Sequence, residues 1–134
     1  MQKLHGFSGA LMVLLFLASG AYLRVILPPF DGTLDSERMM YRASHLYLFM
    51  VGSMNLLLGF YWQVCRDVVG RKCQAWGSSL ILLAQPLFLL AFMLEPGQSV
   101  IRPWTVGGAF VLLGGVVMTV IARVLERRLS PGQS

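Results

Sequence analysis

Charged side chains are scarce in this sequence. Only 13% of its 134 residues are Asp, Glu, Lys or Arg, against about a quarter in a typical soluble domain, while 56% are hydrophobic. Four uncharged runs cover most of the chain, at residues 4–23, 43–65, 74–94 and 103–122. A soluble fold of this length has too little interior to bury so much apolar surface. The composition therefore excludes an ordinary soluble domain.

The uncharged runs also exclude a familiar class of transporter. Proton-coupled transport normally requires a titratable carboxylate at membrane depth, and none of the four runs contains one. Small multidrug exporters share this chain length and helix number, but they depend on a glutamate in the first helix. Here residues 11–17 read LMVLLFL. We therefore do not expect a proton-driven exporter.

Other functional classes are excluded by missing motifs. The formal net charge is +5, but the basic residues form no tract, so nucleic-acid binding is not expected. Cys65 and Cys73 are the only cysteines, and both histidines lie far from them in sequence, so a zinc site with four protein ligands is not expected and we expect reduced thiols. The chain has no sensibly placed Ser-His-Asp set and no glycine-rich phosphate loop. No metal site and no catalytic residue are predicted.

Each uncharged run is long enough to span a hydrocarbon core, which takes about 20 apolar residues in a helix. The prediction is an all-α, integral membrane four-helix bundle with antiparallel up-down topology. Residues 1–134 form a single transmembrane domain with spans at about 5–27, 43–65, 75–94 and 104–125. Residues 28–42 are an outer loop with a short helical extension of the second span. The first run resembles a signal peptide, but we expect it to remain as a helix.

The distribution of Lys and Arg predicts the orientation. Seven lie on one side of the predicted spans and four on the other, and the side with more Lys and Arg is normally cytoplasmic. Both termini are therefore expected in the cytoplasm. The larger group is Lys3, Arg66, Arg71, Lys72, Arg123, Arg127 and Arg128, and the smaller group is Arg24, Arg38, Arg42 and Arg102.

Small residues recur at helical spacing in every span, and in lipid such stripes mark the faces where helices pack closely. Examples are Gly9 with Gly20, and Gly108 with Gly115. Two interpretations are open: packing within one chain, or a homodimer formed through one stripe, such as that of the fourth helix.

Two amides, Asn55 and Gln85, are polar groups within predicted spans. Polar side chains at membrane depth are costly and often functional. Gln85 lies one heptad from Ser78, which makes a polar line on the third helix. These groups either hydrogen-bond between helices or line a path for a substrate or an ion.

The predicted outer end carries the most site-like group of side chains. Guanidinium groups bind phosphate through paired hydrogen bonds, so this group predicts a site for a lipid headgroup or a protein partner. Alternatively, the nearby acidic residues neutralise the arginines pair by pair. The predicted binding residues are Arg24, Arg38, Arg42, His45, Glu95 and Arg102.

The two histidines also suggest haem, because neutral imidazole is a good iron ligand. His5 and His45 start from opposite ends of their spans and are expected more than about 20 Å apart along the membrane normal. A shared haem is therefore excluded, and each histidine would need another ligand, such as Met12 for His5. A second alternative is an enzyme that acts on a lipid-linked substrate with His45 and Glu95 as an acid-base pair.

The start of the second span resembles uncharacterised small bacterial four-helix membrane proteins. The resemblance rests on residues 41–47, YRASHLY, and residues 55–59, NLLLG. It implies a bacterial inner membrane and no particular activity. The leading functional prediction is a non-enzymatic accessory or oligomeric module whose outer basic residues bind a lipid headgroup or a protein partner. No resident cofactor is predicted, and haem belongs only to the alternative built on His45.

Overall fold

The computed structural model describes residues 1–26, 35–96 and 101–129, which form four long helices. These are α1 (Gln2–Ile26), α2 (Asp35–Phe60), α3 (Val68–Leu94) and α4 (Pro103–Leu129). Each helix is long and apolar enough to cross a membrane. The prediction of an all-α chain with four helices of membrane-spanning length is confirmed, and the described residues contain no strand.

Large apolar side chains remain on the outer surface of the bundle. Phe7, Phe60 and Phe110 are 72%, 76% and 70% exposed. Exposing such side chains to water is unfavourable, whereas lipid tails solvate them without cost. The surface of the bundle therefore suits a hydrocarbon environment.

The bundle consists of two closely packed helix pairs, α1 with α2 and α3 with α4, joined mainly through a smaller α2–α3 interface. Contacts between α1 and α2 match the start of one helix with the end of the other. Gly59 lies against the backbone of Gly6, and Gly20 lies against the ring of His45. This register places the two histidines at opposite ends of the same helix pair.

Glycines permit the close approach within both pairs. A Cβ atom on Gly9 would lie 2.6 Å from the backbone nitrogen of Leu56, and one on Gly77 would lie 2.7 Å from the carbonyl oxygen of Gly115. Gly108 contacts Phe88 of α3 in the same interface. The small-residue stripe of α4 therefore packs against α3 within the chain, which is the first of the two interpretations above.

A small apolar core forms where α2 and α3 meet the other two helices. Its members are Met12, Leu48, Val51, Ile81, Ala84, Phe88 and Leu112. Because lipid is as apolar as these side chains, close packing contributes more to the association of the helices than apolar burial does.

The helix α2 ends at Phe60, whereas the predicted span runs to residue 65. The following segment is held by side chains from the other helix pair. Gln74 accepts a hydrogen bond from the Cys65 backbone N–H at 3.0 Å and donates to the Gln63 carbonyl at 2.6 Å. The Arg123 guanidinium donates to the same carbonyl at 2.6 Å. These bonds satisfy the peptide groups that leave the helix.

The starts of α2 and α3 also differ from the starts of the predicted spans. Helix α2 begins at Asp35, about two turns before the predicted span. Helix α3 begins at Val68, where the Asp67 side chain accepts from the Gly70 N–H as an N-cap. Residues 28–34 of the predicted outer loop (28–42) lie outside the described residues.

Both cysteines are free thiols. Cys65 is buried in the α2–α3 connection, and burial raises the pKa of its thiol, with the Glu126 carboxylate adding to the effect. A raised pKa lowers the fraction of reactive thiolate. We therefore expect Cys65 to react with thiol reagents more slowly than an exposed cysteine.

Candidate functional site

His5 is completely buried between three helices. Its Nδ1 atom lies 2.6 Å from Oδ1 of Asn55 on α2, and its Nε2 atom lies 2.5 Å from Oγ of Ser78 on α3. Asn55 and Ser78 are also buried, and the Trp62 ring lies beside the imidazole at 5.3 Å between centroids. We call His5, Asn55 and Ser78 the His5 cluster.

The hydrogen bonds of Asn55 determine the role of each imidazole nitrogen. Asn55 Nδ2 donates to the Val51 carbonyl at 2.8 Å, so its Oδ1 atom is the acceptor that faces His5. Nδ1 of His5 must therefore carry a proton and donate. In the neutral ring Nε2 is then an acceptor, and the Ser78 hydroxyl supplies the donor. Both ring nitrogens are satisfied.

A second hydrogen-bonded chain extends the His5 cluster along α1. Gln85 Nε2 donates to the Ser8 hydroxyl at 3.2 Å, and Ser8 donates to the His5 carbonyl at 3.2 Å. Both predicted polar residues of the membrane interior, Asn55 and Gln85, thus bond to α1. Their geometry is that of hydrogen bonding between helices, the first of the two interpretations given for them.

His45 is bound at only one of its nitrogens. Its Nδ1 atom lies 2.8 Å from the Ser19 hydroxyl, which donates its single proton to the Phe16 carbonyl at 2.9 Å. The hydroxyl therefore accepts from Nδ1–H. The Phe16 ring stacks on the imidazole at 4.1 Å, and a Cβ on Gly20 would lie 3.4 Å from Nε2. Among the described residues, Nε2 has no hydrogen-bond partner.

A small basic cleft lies between the end of α1 and the start of α2. Arg38, Tyr41 and Arg42 line it from α2, and Leu23 lines it from α1. Its volume is about 60 Å³. Arg42 is exposed and forms no ion pair within the described part of the chain. His45 follows Arg42 by one helical turn on the same face of α2.

A larger aromatic cleft adjoins the basic cleft. Tyr22, Tyr41, Phe92 and Met93 line it, and its volume is about 330 Å³. Tyr41 also meets the Phe92 ring edge to face at 5.8 Å. Because Tyr41 lines both spaces, the two clefts adjoin at this residue.

The remaining predicted binding residues divide between two places. Glu95 is buried at the end of α3, where it accepts hydrogen bonds from the Thr105 backbone N–H at 2.8 Å and from the Thr105 hydroxyl. This carboxylate thus satisfies the first turn of α4. Arg24 lies in the last turn of α1, and Arg102 lies just before α4. Neither residue lines the basic cleft.

The hydrogen-bond partners of His5, His45 and Glu95 bear on the haem and enzyme alternatives. Both nitrogens of His5 are occupied, so iron ligation there would break a bond to Asn55 or Ser78. Nε2 of His45 has no hydrogen-bond partner in the described part of the chain. His45 and Glu95 do not hydrogen-bond to each other in the part of the chain that the structure describes, because Ser19 and Thr105 bind them instead. No group of three His, Cys, Asp or Glu side chains positioned to bind a metal occurs there.

The hydrogen-bond partners of His5 were not predicted, although Asn55, Ser78 and Gln85 had been singled out as polar. Their spacing on α2 and α3 was visible in the sequence, but the register that brings His5 to them was not. The signal that would have found them is the match between a histidine near the start of one span and an amide near the end of the next.

No protein-family model, no curated protein and no solved structure matches this chain. The resemblance of the second span to small bacterial membrane proteins therefore stays a prediction.

Proposed function

We propose that the chain is an antiparallel up-down bundle in a bacterial inner membrane, with both termini in the cytoplasm. The contact register supports antiparallel neighbours, since Gly6 lies against Gly59 and Phe88 of α3 lies against Gly108 of α4. The excess of Lys and Arg on the side of both termini supports the orientation.

A labelling experiment tests this orientation. In a cysteine-free background, Met39→Cys is expected to react with an impermeant maleimide from outside the cell, and Lys72→Cys only after permeabilisation. Both positions are exposed on their helices. Labelling of Lys72→Cys in intact cells, with Met39→Cys protected, would invert the topology.

The proposed function is to bind an anionic lipid headgroup in the basic cleft, as a non-enzymatic accessory or oligomeric module. The observation that carries the proposal is the cleft itself, in which Arg38 and Arg42 lie on one side of a space of about 60 Å³. Guanidinium groups donate paired hydrogen bonds to phosphate. Each basic residue near an anionic membrane surface contributes about 1 kcal/mol of attraction.

The environment of Arg42 supports this function further. Its side chain is exposed and has no ion-pair partner among the described residues, which favours contact between this guanidinium and an external anion. Nε2 of His45 lies one turn further along the same face and is available to accept a hydrogen bond from a headgroup hydroxyl or from water.

Native mass spectrometry tests the proposal. We expect wild-type protein in a neutral detergent to retain phosphatidylglycerol in preference to phosphatidylcholine, and we expect Arg42→Gln to lose that preference. Arg71→Gln is the matched control, since Arg71 is an exposed arginine near the start of α3. Equal retention by wild type and Arg42→Gln would refute the proposed function, and a protein partner would then be the remaining use of the cleft.

The alternative is a haem-binding electron carrier built on His45. The observation that favours it is that Ser19 fixes Nδ1–H as a donor and leaves Nε2 without a partner, which is the tautomer used by metal-binding histidines. Supplying haem to the purified protein tests it. A Soret band that His45→Ala removes and His5→Ala retains would replace the lipid-binding proposal.

A further inference from the structure

The basic cleft is too small to hold more than the charged part of a ligand. Its volume is about 60 Å³, whereas pockets that enclose a whole small molecule are usually larger than about 300 Å³. The aromatic cleft, at about 330 Å³, reaches that size. The two spaces therefore suit different parts of one molecule.

The chemistry of the two spaces is complementary. The basic cleft has two guanidinium groups, from Arg38 and Arg42. The aromatic cleft is lined by Tyr22, Tyr41, Phe92 and Met93 and thus has mainly aromatic and thioether surface. Arginine attracts an anionic group, whereas flexible methionine and aromatic rings contact apolar chains well.

Tyr41 connects the two spaces. It lines both clefts, and its ring rests edge to face on Phe92 at 5.8 Å. An apolar chain attached to a headgroup in the basic cleft would enter the aromatic cleft by passing this ring. A free phosphate would use only the basic cleft.

We propose that the basic and aromatic clefts form one site for an anionic amphiphile of the phospholipid type. The headgroup binds to Arg38 and Arg42, and the first part of the apolar chain lies among Tyr22, Tyr41, Phe92 and Met93. This inference rests on the proposed function and adds a binding place for the apolar part of the lipid, with the residues that form it. Met93 is 68% exposed, so it forms the open wall past which the chain leaves the site.

Competition against a fluorescent phosphatidylglycerol in neutral detergent micelles tests the inference. The competitors are unlabelled phosphatidylglycerol, its short-chain dihexanoyl form and glycerol phosphate, a phosphomonoester of glycerol without acyl chains. We expect affinity to fall in that order, with glycerol phosphate weaker than the long-chain lipid by more than roughly a hundredfold, because each buried methylene adds to binding. Equal affinity for glycerol phosphate and the lipid would overturn the inference and leave a free-phosphate site.

Two substitutions separate the parts of the site. Met93→Trp fills the aromatic cleft, and we expect it to weaken phosphatidylglycerol by roughly tenfold while leaving glycerol phosphate unchanged. Arg42→Gln should weaken both ligands. Leu83→Trp is the matched control, because Leu83 is an exposed apolar residue on α3 that does not line the cleft.

The outcomes distinguish the inference from the proposed function. Unchanged lipid affinity in Met93→Trp, together with weakened affinity in Arg42→Gln, would refute only the aromatic cleft. Unchanged affinity in Arg42→Gln would refute the proposed function itself. If Met93→Trp fails to fold, Met93→Gln replaces it, since a polar side chain at the open wall should weaken the lipid without adding volume. Unchanged lipid affinity in Met93→Gln would overturn the inference equally.

Discussion

The two histidines lie at opposite ends of the same helix pair and differ in how fully the protein satisfies them. His5 has no exposed surface, and side chains from α2 and α3 bind both of its nitrogens. His45 is half-buried, and one serine from α1 binds a single nitrogen. A polar group whose hydrogen bonds are all internal holds helices together. His45 instead keeps one nitrogen without a hydrogen-bond partner among the described residues, one helical turn after Arg42.

Of the substitutions proposed here, those of the two histidines are expected to differ most in their effect on the free energy of unfolding. His5→Ala leaves Asn55 Oδ1 and Ser78 Oγ without their partner and opens a cavity between three helices. We expect it to lower the free energy of unfolding by about 2–4 kcal/mol. His45→Ala removes one hydrogen bond and the Phe16 stack, for about 1 kcal/mol. Reversible unfolding in mixed micelles with SDS measures both. Equal losses of unfolding free energy would contradict the distinction between His5, which is hydrogen-bonded at both nitrogens, and His45, which is bonded at one.

Glycine substitutions test the close packing that brings the His5 cluster together. A Cβ on Gly9 would meet the Leu56 backbone at 2.6 Å, so Gly9→Ala must separate α1 from α2, and we expect a loss of about 1–3 kcal/mol. Gly107 has open space around it. Gly107→Ala should therefore stabilise the helix by up to about 1 kcal/mol. The same unfolding assay should show changes of opposite sign, and a neutral Gly9→Ala would contradict the observed helix spacing.

Two adjacent serines offer a smaller and sharper test of the His5 cluster. Ser78 bonds to His5 across the bundle, whereas Ser79 is exposed and bonds to the Ala75 carbonyl of its own helix. Hydrogen bonds between membrane helices contribute about 1 kcal/mol. We expect Ser78→Ala to lower the free energy of unfolding by about that amount and Ser79→Ala to leave it within about 0.5 kcal/mol of wild type. A larger loss of unfolding free energy for Ser79→Ala than for Ser78→Ala would contradict a stabilising role of the Ser78–His5 hydrogen bond.

The four helices could be predicted because each depends on a local property, an uncharged run of sufficient length. Asn55 and Gln85 could also be identified, since amides within such runs are rare. The partners of His5 could not, because Asn55 and Ser78 are distant in sequence and meet it only through the register of glycine-mediated contacts. That register depends on tertiary packing rather than on the pattern of any one span.

The predicted binding residues at the outer end show the same dependence on tertiary packing. Arg38 and Arg42 lie one turn apart on α2 and share a cleft, as helical spacing alone predicts. The sequence places Glu95 in the same group because Glu95 and Arg102 flank the predicted connection between the third and fourth spans. In the folded chain its carboxylate instead binds Thr105 at the start of α4. The end of α2 at Phe60 also depends on tertiary contacts. Gln74 and Arg123, from α3 and α4, donate hydrogen bonds to the Gln63 carbonyl after the helix has ended.

The most direct test of the central claim is the change in stability that phosphatidylglycerol causes. A ligand that binds the folded state stabilises it by an amount that grows with ligand concentration above the Kd, about 2.7 kcal/mol at a hundredfold excess over the Kd. We expect wild-type protein and His45→Ala to gain stability when phosphatidylglycerol replaces phosphatidylcholine in the micelle, with a smaller gain for His45→Ala. Arg42→Gln should match wild type in phosphatidylcholine and gain nothing. An equal gain in Arg42→Gln would contradict a headgroup site in the basic cleft.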